Sequence, residues 1–240
     1  MNVVSLHSVC KQFVRGRLTK TVLENVSWGI ERRSSWIILG QPGSGKTTLL
    51  NIICGLYTPS VGWVERVGVI SSPGGYVRLS RTSTPRQLAT RLARYFGVDP
   101  QEVVEFVRHF SDLADHMDFP TTQLSRNQTR NLNYGLIYGL PFDLYLFDGA
   151  IASRGERFSN RCRAAFEQRQ QTAAMIVATS KPRFAQQFAG NGAVLHRGKL
   201  YVFASVKDAI EAYNSLPPPP EYSEYESPSG SPEEEEEEFI

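Results

Sequence analysis

The run Gly40-Gln41-Pro42-Gly43-Ser44-Gly45-Lys46-Thr47 has the spacing G-x-x-x-x-G-K-[ST], and residue types in that order hold phosphate. Glycines let backbone N–H groups converge on anionic oxygens with no side chain in the way. A helix opening at Lys46 adds its positive N-terminal end. The Lys46 ammonium reaches toward the β and γ phosphates, and the Thr47 hydroxyl offers one oxygen to a magnesium shell. Thr48 continues the first turn and joins the candidate nucleotide contacts. At average residue frequencies a chance match in a chain of 240 residues arises about once in a hundred, so the motif reads as a nucleotide cradle rather than an ordinary Gly-rich turn.

A magnesium site needs a second anchor, and a carboxylate at the end of a buried strand supplies it where apolar walls fix the side chain. Leu144-Tyr145-Leu146-Phe147-Asp148 has that form. Asp148 is therefore the candidate metal partner of Thr47 and, with Lys46, a candidate catalytic residue. The Asp148-Gly149 pair also fits a turn, since Asp-Gly is common there.

The elements that must position these groups follow from patterning. Asn2 to Leu6 and Val22 to Ile30 read as strands, and Trp36-Ile37-Ile38-Leu39 is a short apolar run that ends at the glycine turn. From Lys46 the apolar positions recur at helical spacing, giving the order strand, Gly-rich loop, helix. Arg86 to Phe96 and Pro100 to Met117 read as helices, the second capped by Asp99 with Pro100 at its first position. Buried strands are expected at residues 144–147 and 175–178. Strands alternating with helices predict an α/β sheet with a helical insertion over about residues 81–140.

Composition sets the outer bounds. The chain is 26.9 kDa, 41% hydrophobic and 21% charged, enough for one substantial core and unlike a fibre or a disulfide-stapled mini-protein. Nine of its 24 acids lie in the last 20 residues, which hold no Lys or Arg, so residues 1–220 carry 26 bases against 15 acids and a net charge of +11. A body that basic suits an acidic partner such as nucleotide phosphates or an anionic membrane surface. Cys10, Cys54 and Cys162 lie far apart with no CxxC, which points to reduced thiols rather than a disulfide framework or zinc. No run of 18 apolar residues occurs, so the chain is not expected to span a membrane. Residues 1–216 read as one nucleotide-binding domain, and 217–240, with four prolines followed by a Glu-rich stretch, as a disordered acidic tail.

With these motifs in place the chain resembles the ATP-binding subunit of an ABC transporter, over nearly the whole body. Gly55-Leu56-Tyr57-Thr58-Pro59-Ser60-Val61-Gly62 is similar to the stretch after the P-loop helix in that family. Leu124-Ser125-Arg126-Asn127-Gln128 lies where the family carries its Leu-Ser-Gly-Gly-Gln signature, and Phe13 where an aromatic ring stacks on adenine. The total length, Gly74-Gly75-Tyr76, Leu140-Pro141-Phe142-Asp143 and the closing stretch from Gly192 to Tyr213 resemble the bacterial branch that exports capsular polysaccharide and related glycans. The resemblance implies an ABC-type P-loop NTPase fold: a mixed sheet core with an antiparallel β portion and a helical subdomain. It also implies ATP and Mg2+ as cofactors, a membrane-spanning permease and a second ATP-binding subunit as partners, and a place on the cytoplasmic face of the inner membrane. In the family's head-to-tail pair the signature serine, here Ser125, contacts nucleotide on the partner's P-loop.

Several family positions depart from the pattern. Gly149 stands where the family has its catalytic glutamate, Ser180 where it has the switch histidine, and Val77 where it has a glutamine. Arg126 and Asn127 replace the two signature glycines. Glu156, in Arg154-Gly155-Glu156, is the remaining acidic candidate for catalysis, because Asp143 precedes its strand and belongs at the opposite end of the sheet from the phosphates. Losing a positioned base costs about two to four powers of ten in rate, so ATP binding with weak or partner-dependent hydrolysis is expected. The alternative is a catalytically inactive pseudo-ATPase with a structural or regulatory role. A soluble kinase or GTPase fits less well, since no guanine-selecting segment is present. No aromatic and basic interleaving points to nucleic acid.

Overall fold

The computed structural model describes residues 1–16, 18–73, 82–151, 156–188 and 190–217, apart from the side chains of Arg15 and Glu156. Two long strands, β1 (Asn2–Arg15) and β2 (Leu18–Glu31), pair antiparallel, and β4 (Val61–Arg66) adds to the other edge of β1. A second sheet has the order β5-β6-β3-β7-β8, from β3 (Ser35–Leu39), β5 (Leu144–Asp148), β6 (Ala174–Thr179), β7 (Asn191–His196) and β8 (Lys199–Phe203). Its β5, β6, β3 and β7 are parallel and only β8 is antiparallel.

The apolar runs of β3, β5 and β6 are continuous because both faces of this sheet are covered. Side chains alternate across it: Ile38, Leu146 and Ile176 enter one core with the antiparallel sheet and helix α1 (Lys46–Cys54), whereas Leu39, Phe147 and Val177 enter the other. That second core is closed by α4 (Arg126–Gly139), α5 (Glu156–Gln170) and α7 (Val206–Asn214). The short α6 (Pro182–Ala185) also packs there. A third cluster joins α2 (Pro85–Phe96), α3 (Pro100–Phe110) and α4 through Leu88, Val104, Val107 and Leu136.

The helix expected over Pro100 to Met117 is shorter. It ends at Phe110, Asp112 has φ of 53°, and a single 3-10 turn covers Ala114–His116. The break brings Leu113 and Met117, both fully buried, back into the same cluster as Val103 and Val107. Arg161 of α5 holds it from outside, donating to the Asp112 carboxylate and the His109 carbonyl. Tertiary packing overrides a helical period here. At α2, Thr84 and Gln87 form a capping box, and Asp99 caps α3 by accepting from the Gln101 amide. The expected disordered tail falls outside the described residues from 218 onward.

Candidate functional site

Because β3, β5 and β6 run parallel and in register, their C-terminal ends emerge on one edge. Leu39 lies opposite Thr179, and Asp148 opposite Ala178. The next residues continue the ladder: the Gly40 amide donates to Thr179 O at 3.3 Å and the Gly149 amide to Ala178 O at 2.8 Å. Gly40, Asp148 and Ser180 are thus set side by side where ligands of open parallel sheets bind.

The loop from Gly40 to Gly45 turns tightly into α1. Gly45 is the helix N-cap with φ of 101°, a left-handed conformation that favours glycine. A Cβ there would approach Val22 Cγ1 to 2.7 Å, and one on Gly40 would lie 2.5 Å from Ser44 Oγ and 2.9 Å from Leu195 O. The backbone therefore comes closer to its surroundings than any side chain permits. Lys46 reaches back along the loop, its Nζ donating to Gly40 O at 2.8 Å, Gln41 O at 2.9 Å and Ser44 Oγ at 3.4 Å. Half-burial pushes its pKa below the ordinary lysine value, and the Asp148 charge works against that shift. A cavity of about 240 Å³ opens beside the loop, lined by Lys20, Val22, Gly43, Gly45, Lys46, Thr47 and Thr48.

Thr47 Oγ1 donates to Asp148 Oδ2 at 2.6 Å, although the two residues are 101 positions apart. A hydroxyl and a carboxylate in contact beside a phosphate cradle are hard oxygen donors of the kind magnesium takes, so the residues fit that ion. Asp143 lies at the other end of β5. It pairs with Arg32 at 2.8 Å and accepts from the Val69 amide at 2.9 Å, a structural role away from the loop.

The remaining candidates are placed differently. Phe13 lies on β1 opposite Lys20, which lines the cavity. Phe13 is 41% exposed, and its ring meets Tyr57 edge-on at 5.9 Å, with Lys11 Nζ at 5.1 Å. Ser125 is the N-cap of α4, on the helical portion, and is not among the residues lining the cavity. Its Oγ accepts from the Gln128 amide at 3.3 Å while Gln128 Oε1 accepts from the Ser125 amide at 2.9 Å. The exposed Arg126 and Asn127 occupy the first two positions of the helix. Ser180 accepts from Tyr213 Oη through its carbonyl at 3.4 Å. Gly149 has φ of 89°, and among the described residues beyond its chain neighbours no atom lies within 4 Å of a Cβ built on it. Glu156 is the first residue of α5, and its side chain, like Gly74 to Val77 and Arg154-Gly155, lies outside the described residues.

Two contacts at the site were not singled out from sequence. Lys20 lines the cavity, and Gln41 Nε2 donates to Pro217 O at 3.0 Å. Nothing in the spacing of isolated residues signals either, since one depends on strand register and the other on where α7 ends. No helix among the described residues is long and apolar enough to cross a membrane.

The family model for ABC transporter matches residues 23–152. The capsule polysaccharide export ATP-binding protein CtrD of Neisseria meningitidis is 31% identical over 217 residues, covering 90% of this chain and 100% of CtrD. The ATP-binding protein BexA of Haemophilus influenzae is 28% identical over 213 residues, covering 88% of this chain and 98% of BexA. Among solved structures, an ATP-binding subunit of an ABC transporter superposes with a TM-score of 0.69 at 16% identity, covering 88% of this chain and 93% of that one.

Proposed function

Because the chain belongs to the ABC transporter family, we propose that it is the ATP-binding, energy-coupling subunit of an exporter for capsular polysaccharide or a related surface glycan, with hydrolysis that is impaired or dependent on a partner. It works at the cytoplasmic face of the inner membrane, against a membrane-spanning permease and with a second ATP-binding subunit. The observation that carries the binding half is the Thr47–Asp148 contact of 2.6 Å beside a Gly-rich loop holding Lys46. Gly40, Gln41, Pro42, Gly43, Ser44 and Gly45 cradle the phosphates with Lys46, Thr47 and Thr48, and Thr47 and Asp148 hold magnesium. When bound, the ion screens phosphate charge. Likeness to CtrD along the whole of that protein supports the glycan branch.

The catalytic half rests on what the chain puts beside Asp148. Gly149 has no carboxylate to orient water, and Ser180 offers a hydroxyl where the family resemblance implies an imidazole. Ser125 and Gln128 bond to each other, and Arg126 and Asn127 add bulk where close approach to a partner's nucleotide is needed. One half of an asymmetric pair, completed by a subunit with the full set, accounts for a preserved cradle without a preserved base. The left-handed backbone at Gly149 also favours a second reading, a pseudo-ATPase whose bound nucleotide serves structure or regulation.

Calorimetry with MgATP on the purified chain tests the assignment. Binding is expected, Lys46→Ala abolishes it, and steady-state hydrolysis by the isolated chain stays near background. Brisk turnover by the isolated chain that disappears with Glu156→Ala would overturn the impaired-hydrolysis reading. Transport assays separate the two readings: an energy-coupling subunit loses glycan export with Lys46→Ala, whereas a structural one keeps it.

A further inference from the structure

Two lysines line the cavity beside the Gly-rich loop, and they are held differently. Lys46 opens α1, and its ammonium is engaged by Gly40 O, Gln41 O and Ser44 Oγ. Lys20 comes from β2, is exposed, and among the described residues its ammonium has no hydrogen-bond or ion-pair partner. Lys11, on the paired strand, is not free in this way: its Nζ donates to Thr58 O at 2.8 Å and lies over the Phe13 and Tyr57 rings.

Irregular pairing of the hairpin brings Lys20 to the loop. Gln12 lies opposite Thr21 and Lys11 opposite Leu23, so Val22 is an extra residue on β2. A bulge of this kind bends its strand and re-aims the side chains beside it. Here it presses Val22 Cγ1 to within 2.7 Å of a Cβ built on Gly45, and Val22 and Lys20 both line the cavity. Lys20 is also directly opposite Phe13, and opposite residues of an antiparallel pair project from one face with Cβ atoms about 5 Å apart. One register position therefore sets an aromatic ring and an uncommitted ammonium side by side, next to the phosphate cradle.

We infer that Lys20 is a further nucleotide-binding residue, its ammonium taking the α phosphate while Lys46 takes the outer two and Phe13 takes the base. Lys46 stands at the helix start, where the outer phosphates are held. A cation on the hairpin, beside the ring that receives the base, meets the phosphate nearest the nucleoside. ATP and ADP share that phosphate, so Lys20 supports both alike. This inference rests on the assignment of the loop to nucleotide binding and of Phe13 to the base.

The test compares the full chain with Lys20→Met, which keeps the apolar stem, and Lys20→Arg, which keeps the charge. Calorimetry is expected to show MgATP and MgADP weakened by one common factor of about three- to thirtyfold in Lys20→Met, and by less than about threefold in Lys20→Arg. Lys207→Met, which removes an exposed lysine of α7 outside the cavity, is expected to match the parent. In phosphorus NMR the α signal of bound ADP is expected to differ between the parent and Lys20→Met. Unchanged MgATP affinity in Lys20→Met overturns the inference and leaves the nucleotide assignment standing. A loss for ATP without one for ADP, or an unmoved α signal, also overturns it, since the ammonium is then not on the α phosphate. An equal loss in Lys207→Met does the same, because net charge alone accounts for it. A parent that binds no MgATP removes the nucleotide assignment and this inference with it.

Discussion

Thr47 and Asp148, contributed by α1 and by the end of β5, are joined by a hydrogen bond of 2.6 Å, so the helix that follows the Gly-rich loop is tied to a strand two places along the sheet from β3. Asp148→Asn keeps an oxygen for the Thr47 hydroxyl but removes the charge a divalent ion needs. The expected outcome is a folded protein whose affinity for MgATP falls by about tenfold or more, while affinity for ATP in chelator changes little. Paired titrations with and without magnesium check this.

Gly149→Glu tests the proposed lack of a carboxylate directly after Asp148. The backbone there has φ of 89°, which costs a non-glycine residue about 1–3 kcal/mol. Among the described residues nothing beyond its chain neighbours lies within 4 Å of a built Cβ, so the backbone conformation is the obstacle considered. The variant is expected to melt several degrees lower and to gain no more than marginal ATPase activity. A thermal scan with a phosphate-release assay decides it, and full turnover at unchanged melting temperature is the contrary result.

Ser125→Ala removes the oxygen that caps α4 and one half of its reciprocal pair with Gln128. Loss of about 1 kcal/mol of stability is expected, read from denaturant unfolding. Nucleotide affinity of the isolated chain should stay unchanged, because Ser125 does not line the cradle.

Tyr138 is buried beneath the segment after β5 and donates to Ile151 O at 2.8 Å. Burial raises its pKa well above 10. The unfolded phenol ionises near its ordinary pKa while the folded one stays protonated, so its contribution is complete below pH 10 and is lost as pH climbs from there toward the folded value. Tyr138→Phe is expected to cost about 1–2 kcal/mol near neutral pH and to flatten the fall in stability above pH 10. Denaturation midpoints across pH 7 to 11 measure both effects.

The strand, loop and helix around Lys46 were legible because the motif fixes its own local structure: apolar strand, left-handed glycine, helix. Asp148 was legible from five residues, since a strand buried on both faces leaves its polar end as the one place for a charge. The end of α3 was not, because Leu113 and Met117 keep a helical period and only their return to the third cluster breaks the helix. Strands β4, β7 and β8 were missed as elements. Val61–Arg66 is an edge strand with mostly exposed side chains, and β7 begins Asn191-Gly192, where Gly192 is needed because a Cβ would strike Ala209 Cβ at 2.3 Å. The role of Lys20 depends on strand register, and that of Pro217 on where α7 stops. Neither follows from local sequence.

Val22, on the antiparallel sheet, stands so near Gly45 that only a hydrogen fits between them, and the same strand is tied to the parallel sheet where the Glu24 amide donates to Gly198 O at 2.8 Å. The hairpin is therefore a buttress under the phosphate loop rather than an appendage. Tilting one layer against the other would press Val22 into Gly45, so the shape of the loop depends on how the two sheets sit against each other.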